Sequence, residues 1–162
     1  MRRILRFNHR KGLQTLLNLK YSSIIDAAEV FEYLKEVQEN LDFPLALYYL
    51  KEYISSHEST SEFLHNSLSE EYIRNIFMQK PKTAPVDRDD DIILKTLREE
   101  FQHFLDSSQY VDSNRVLGMM QGSWMIEEQV QMLIKGGKMQ EALETFIEKG
   151  KIEEAENFCS RQ

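Results

Sequence analysis

In 162 residues the sequence holds one cysteine, three prolines, six glycines and one tryptophan. The lone Cys159 cannot close an internal disulfide, so the fold does not depend on an oxidising compartment and a reducing, cytosolic address is expected. No Asn-x-Ser/Thr acceptor occurs, which agrees. No apolar run approaches the roughly 18 residues of a membrane span, so no transmembrane helix is expected. These scarcities also exclude a collagen-like chain and a disulfide scaffold, and a 41% hydrophobic content excludes full disorder. What is abundant is Leu, Glu, Lys, Gln and Met, all good helix formers. A chain of this length buries roughly two thirds of its unfolded surface, as one compact domain or a short run of repeats.

The net charge of −7 conceals an asymmetry. Residues 1–25 carry Arg2, Arg3, Arg6, Arg10, Lys11 and Lys20 and no acid, while the remainder carries 14 basic and 27 acidic side chains. So acidic a body is a poor nucleic-acid binder. The Arg-rich start nevertheless has the composition of a mitochondrial transit peptide. The alternative is a helix with a basic exposed face and Ile4, Leu5, Leu13, Leu16 and Leu17 turned inward. On either reading Arg2, Arg3, Arg6, Arg10 and Lys11 are candidates for contacting an anionic partner.

Apolar spacing is helical nearly throughout. A second helix is expected behind a Ser22 or Ser23 cap, with Ile24, Ala28, Phe31 and Leu34 inward. Asp42 before Phe43-Pro44 reads as an N-cap with proline in the first turn, opening a helix that buries Leu47, Leu50, Tyr53 and Ile54. Ser59-Thr60-Ser61-Glu62 reads as a capping box before Leu64, Leu68, Tyr72 and Ile76. Residues 79–91, with Pro81, Pro85 and an Asp run, form a loop between two helical halves of a single unit. A helix over 90–105 is expected to bury Ile93, Leu97, Phe101 and Phe104. A short one follows over 114–120, and another from Ser123 carries Ile126, Val130, Leu133 and Ile134.

Gly137-Lys138-Met139-Gln140-Glu141-Ala142 recurs thirteen residues later as Gly150-Lys151-Ile152-Glu153-Glu154-Ala155. Glycine after a helix supplies the left-handed closing residue, and a small alanine lets the next helix approach. Short helices that cannot bury an apolar seam alone must stack. The expected fold is all-α, an irregular α-solenoid of about nine helices in stacked hairpins.

No catalytic set emerges. Gly136-Gly137-Lys138 lacks the upstream glycine, hydroxyl residue and leading strand of a phosphate loop, and reads as a helix cap. His9, His57, His65 and His103 are scattered, and none completes a zinc set with Cys159. His65 reads as a hydrogen-bonding residue between helices and Cys159 as core. Asp89-Asp90-Asp91 reads as favourable charge at a helix start. The other carboxylates are assigned to solvent faces. Tyr53 and Tyr72 point inward by spacing, leaving Tyr48 or Tyr49 as a surface anchor for a partner. No enzyme, cofactor or metal is expected.

Two stretches then carry a resemblance. Pro44 to Ile54, followed by Glu62-Phe63-Leu64-His65-Asn66-Ser67-Leu68 and Tyr72-Ile73, resembles the C-terminal helical region of the vacuolar protein-sorting subunits of the HOPS and CORVET tethers. That family includes the TGF-β receptor-associated protein. Glu127 to Lys138, then Glu141-Ala142-Leu143 and Ala155-Glu156-Asn157-Phe158-Cys159, is similar to the family's Gly-Lys-x-x-x-Ala-Leu ending, with Phe158 where tyrosine is usual. The family's N-terminal β-propeller and C-terminal zinc element do not occur in these 162 residues, so the resemblance implies an internal piece of such a subunit. It further implies a role in holding sister subunits, and through them Rab GTPases and SNAREs, peripherally on endosomal or vacuolar membranes, with no nucleic acid among the partners. Cut solenoid ends would favour self-association. Leu50, His65, Leu68, Tyr72, Gly137, Ala142, Ala155 and Cys159 would be fold determinants.

Overall fold

A computed structural model describes residues 9–18, 25–39, 41, 43–85 and 91–160, with all of their side chains except those of His9, Arg10 and Phe158. Among these residues there are nine α-helices and no strand: α1 His9–Leu17, α2 Ala27–Gln38, α3 Leu45–His57, α4 Glu62–Gln79, α5 Ile92–Ser107, α6 Ser113–Met120, α7 Ile126–Lys135, α8 Met139–Glu148 and α9 Ile152–Ser160. The consecutive helices α2 and α3, α6 and α7, α7 and α8, and α8 and α9 pack as hairpins, and α1 on α3 and α5 on α7 pack as well. That is the all-α stacking of hairpins expected from sequence. The chain divides into two compact units, residues 1–71 and 72–162, with the division inside α4. The 79–91 segment therefore lies within the second unit.

In the first unit, Leu13, Val30, Phe31, Leu34, Leu45, Ala46, Tyr49, Leu50 and Leu68 are almost wholly buried. Ser22, Ser23, Ile24 and Asp42 lie outside the described residues, as do Ile4 and Leu5. The α2 cap is Asp26, whose carboxylate accepts from the Ala28 amide. The start of α3 is capped from elsewhere. Pro44 stands at its N-cap and offers no side-chain acceptor, so the buried Gln38 at the end of α2 accepts the Ala46 N–H at 3.0 Å. Its amide nitrogen donates to the buried Glu71 at 3.3 Å. One glutamine thus satisfies an orphan helix donor and a buried carboxylate together. The cap of α4 is Ser61, which accepts from Leu64, with Ser59 accepting from Ser61. The Ser59 amide instead donates to the carbonyl of Ile54, so the expected box of Ser59 with Glu62 is displaced by two residues.

In the second unit, α5 turns a different face inward than its apolar pattern suggests. Leu94, Phe101 and Leu105 are buried, whereas Ile93 is 64% exposed. The inward seam is 94, 98, 101 and 105, with Arg98 among the apolar residues. Arg98 turns inward to a buried partner on α7, Glu128, which the assignment of carboxylates to solvent faces misses. Tyr72 stacks on Phe101 and Phe104, at 5.1 and 6.1 Å between centroids. Helix α7 is enclosed on most sides, with Ile126, Val130, Met132, Leu133, Glu128 and Gln129 all buried. Ile126, Val130, Leu133, Ala142, Phe146 and Ala155 form one apolar cluster joining α7, α8 and α9.

The Gly-Lys repeat closes two helices identically. After α7, Lys138 N–H donates to Leu133 and Gly137 N–H to Ile134; after α8, Lys151 donates to Phe146 and Gly150 to Ile147. Gly137 and Gly150 have φ of 75° and 71°, the left-handed geometry that this pair of bonds requires. Cys159, expected in the core, is exposed instead.

Candidate interaction surface

Hydrogen bonds give the direction of the helices in the second unit. Arg98 reaches Glu127 and Glu128, Gln102 reaches Glu128 and receives Gln131, and Lys135 donates to the carbonyls of Leu105 and Ser108. Each partner lies close to thirty residues ahead, so α5 and α7 run parallel. Lys151, just before α9, bonds Glu127 in the first turn of α7, so α7 and α9 start side by side. Helices α5 and α7 therefore form one parallel layer, with α6 and α8 packed on α7 and Lys151 tying the start of α9 to it.

A ladder of charge crosses this layer. Arg98 Nε donates to Glu128 Oε1 at 2.8 Å and Nη2 to Oε2 at 2.9 Å, a two-point pairing. Nη2 also donates to Glu127 at 2.7 Å, and Gln102 donates to Glu128 at 2.8 Å. The Glu128 side chain has no solvent exposure and that of Arg98 has 16%. A carboxylate so buried persists only when paired and hydrogen-bonded. Burial pushes the Glu127 carboxyl upward, but the Lys151 hydrogen bond, its own backbone amide and the charges of Arg98 and Lys151 outweigh it and hold the group below its ordinary 4.5. Burial draws the Lys135 ammonium below lysine's ordinary value, and nearby Asp106 acts the other way.

Trp124 anchors the start of α7. Its indole N–H donates to the Pro81 carbonyl at 2.9 Å. The Lys80 ammonium and the Arg98 guanidinium lie 4.4 and 5.1 Å from its ring, both within cation–π range. Gln129 donates to the carbonyls of Ser123 and Met125, closing the loop before the helix.

Between α5 and α7 the layer opens as a shallow groove of about 500 Å³. Glu99, Gln102, His103 and Asp106 line it from α5, and Glu127, Val130, Gln131 and Ile134 from α7. Both sets repeat at three, four and seven residues, so each helix presents one continuous face. Among the described residues no group of His, Cys, Asp and Glu is arranged to hold a metal ion. No helix among them is long and apolar enough to cross a membrane.

The residues singled out by sequence fare differently. Arg2, Arg3 and Arg6 lie outside the described residues, as does the Arg10 side chain, while Lys11 is exposed. Tyr48 is 40% exposed and lies 6.0 Å from the similarly open Phe43. Tyr49 is corrected: it is 1% exposed, inside the first unit's core, and burial raises its phenol far above the ordinary value. Consecutive helical residues point about 100° apart, so only one of the two tyrosines could face solvent. His65 is buried but bonds the Ser59 carbonyl at 2.7 Å, in the loop before its own helix. Asp91 does cap α5, accepting from Leu94 at 2.7 Å, while Asp89 and Asp90 lie outside the described residues. The assignment of carboxylates to solvent fails at Glu71 and Glu128. Both are buried against partners about thirty residues distant, which no local spacing signals. Compared with known proteins, the chain matches no family model, no curated protein and no solved structure.

Proposed function

We propose that this chain is a non-enzymatic protein-interaction scaffold, a segment of a HOPS/CORVET-type tethering subunit that holds sister subunits peripherally at endosomal or vacuolar membranes. Rab GTPases and SNAREs are then reached through those subunits. The observation that carries the scaffold reading is the parallel α5–α7 pair, whose buried charges join its two helices while one groove stays open between them. Stacked helical hairpins present extended faces of this kind to partner proteins. The tether assignment is supported by the two phrases at residues 44–73 and 127–159 that resemble that family.

The test is copurification of the tagged, full 162-residue chain from cytosol, with an unrelated α-solenoid as control. Enrichment of HOPS or CORVET subunits over the control is the expected result. Recovery of RNA or mitochondrial matrix proteins in their place, abolished by deleting residues 1–21, would overturn the proposal in favour of a basic N-terminal working part.

A further inference from the structure

We infer that the α5–α7 groove docks one basic amphipathic helix of a partner protein. The inference rests on the scaffold reading and names the partner's chemistry. Of the α7 carboxylates, Glu127 in the lining is matched by Arg98 and Lys151, and the buried Glu128 by Arg98. Glu99 and Asp106 on α5 have no such direct pairing. Among the described residues Glu99 and Asp106 are exposed and form no ion pair. Lys135, whose ammonium feels the Asp106 charge, gives its protons to the carbonyls of Leu105 and Ser108. Glu99 and Asp106 stand seven residues apart on one face of α5, two turns or about 10.5 Å along the axis. The apolar part of the lining belongs to α7 and consists of the half-buried Ile134 and the buried Val130.

A helix lying between two parallel helices sets its ridge into their groove and hides an aliphatic stripe there. Lys or Arg at positions seven apart on that helix would meet Glu99 and Asp106 together. A neutral or acidic helix would instead strip water from both carboxylates and give nothing in return. The excess of acid over base in residues 26–162 attracts a cationic segment at long range as well.

The probe is a synthetic sixteen-residue helical peptide with a Leu/Ala stripe and two lysines seven apart, labelled for fluorescence anisotropy against the full chain at low ionic strength. A peptide of identical composition with the lysines moved out of register is the control. We expect the in-register peptide to bind more tightly than the control. The paired substitution Glu99→Gln with Asp106→Asn should weaken it about fivefold, the sum of two exposed ion pairs. Added salt should erase the difference. Both substituted side chains are exposed, and an unchanged helical circular dichroism spectrum confirms that the fold is retained. The exposed α8 pair Glu141→Gln with Glu144→Gln should leave binding unaltered. Equal binding of the two peptides, or equal sensitivity to the α5 and α8 pairs, would overturn the inference. Because the peptide is read without any tether subunit, its failure is distinguishable from failure of the scaffold reading.

Discussion

Replacing Arg98 with methionine should be among the most damaging single changes in the second unit, although it removes an ion rather than an apolar side chain. The substitution leaves Glu128, which has no solvent exposure, with the 2.8 Å bond from Gln102 as its remaining side-chain partner from α5. Breaking one side of a buried pair costs about 3–5 kcal/mol. Because Arg98 keeps 16% exposure and also serves the half-exposed Glu127, the lower end, about 3 kcal/mol, is expected. With a urea m-value near 2 kcal/mol/M this moves the unfolding midpoint down by about 1.5 M. Glu128→Met leaves Arg98 its 2.7 Å bond to Glu127 and should cost less. The double variant removes both buried ions and should be more stable than Arg98→Met alone. The singles and the double form a cycle whose coupling energy should be about 2 kcal/mol. Urea titrations followed by far-ultraviolet circular dichroism measure it. Fluorescence of the single tryptophan, Trp124, follows the same site, because the Arg98 guanidinium lies over its ring. A midpoint for Arg98→Met close to that of the unmodified chain would refute the reasoning, as would a double variant whose loss equals the sum of the singles.

Further consequences follow from the packing and the charges. Ala142 is fully buried where α7, α8 and α9 meet, so Ala142→Leu should destabilise by about 1–3 kcal/mol through overpacking. An unchanged thermal midpoint would contradict that placement. Gly137→Ala and Gly150→Ala meet no atom within 4 Å, so their cost is backbone strain alone, about 1–2 kcal/mol each by the same melts. Glu58 closes α3 at a φ of 46° without being glycine, so Glu58→Gly should be neutral or slightly stabilising in the same assay. Because the folded Glu127 carboxyl is held below 4.5, its contribution to stability is complete above that pH and is lost as the pH falls through the lowered folded value. Lys151→Met should flatten stability measured between pH 6 and 3, and an unaltered slope would exclude the ion pair as its source.

Much of this protein was legible from its residues in order. Helical spacing and the two Gly-Lys closures are local events, governed by backbone geometry within one or two turns, and sequence alone determined them, whereas the α2 cap is Asp26 and not the expected serine. The buried alanines follow from the same short-range repeat. The tertiary structure decided which charges would be buried. Arg98 and Glu128 are thirty residues apart and ordinary in their own helices, and only the parallel packing of α5 on α7 removes both from water at once. It likewise turned Ile93 outward, sent Tyr49 rather than Tyr48 into the core, and left Cys159 uncovered. The reason is that a helix's inward face is set by whatever packs on it, and a well-matched ion pair outweighs the preference of one isoleucine. The groove has the same origin, because its walls belong to two helices that come together only in the folded chain.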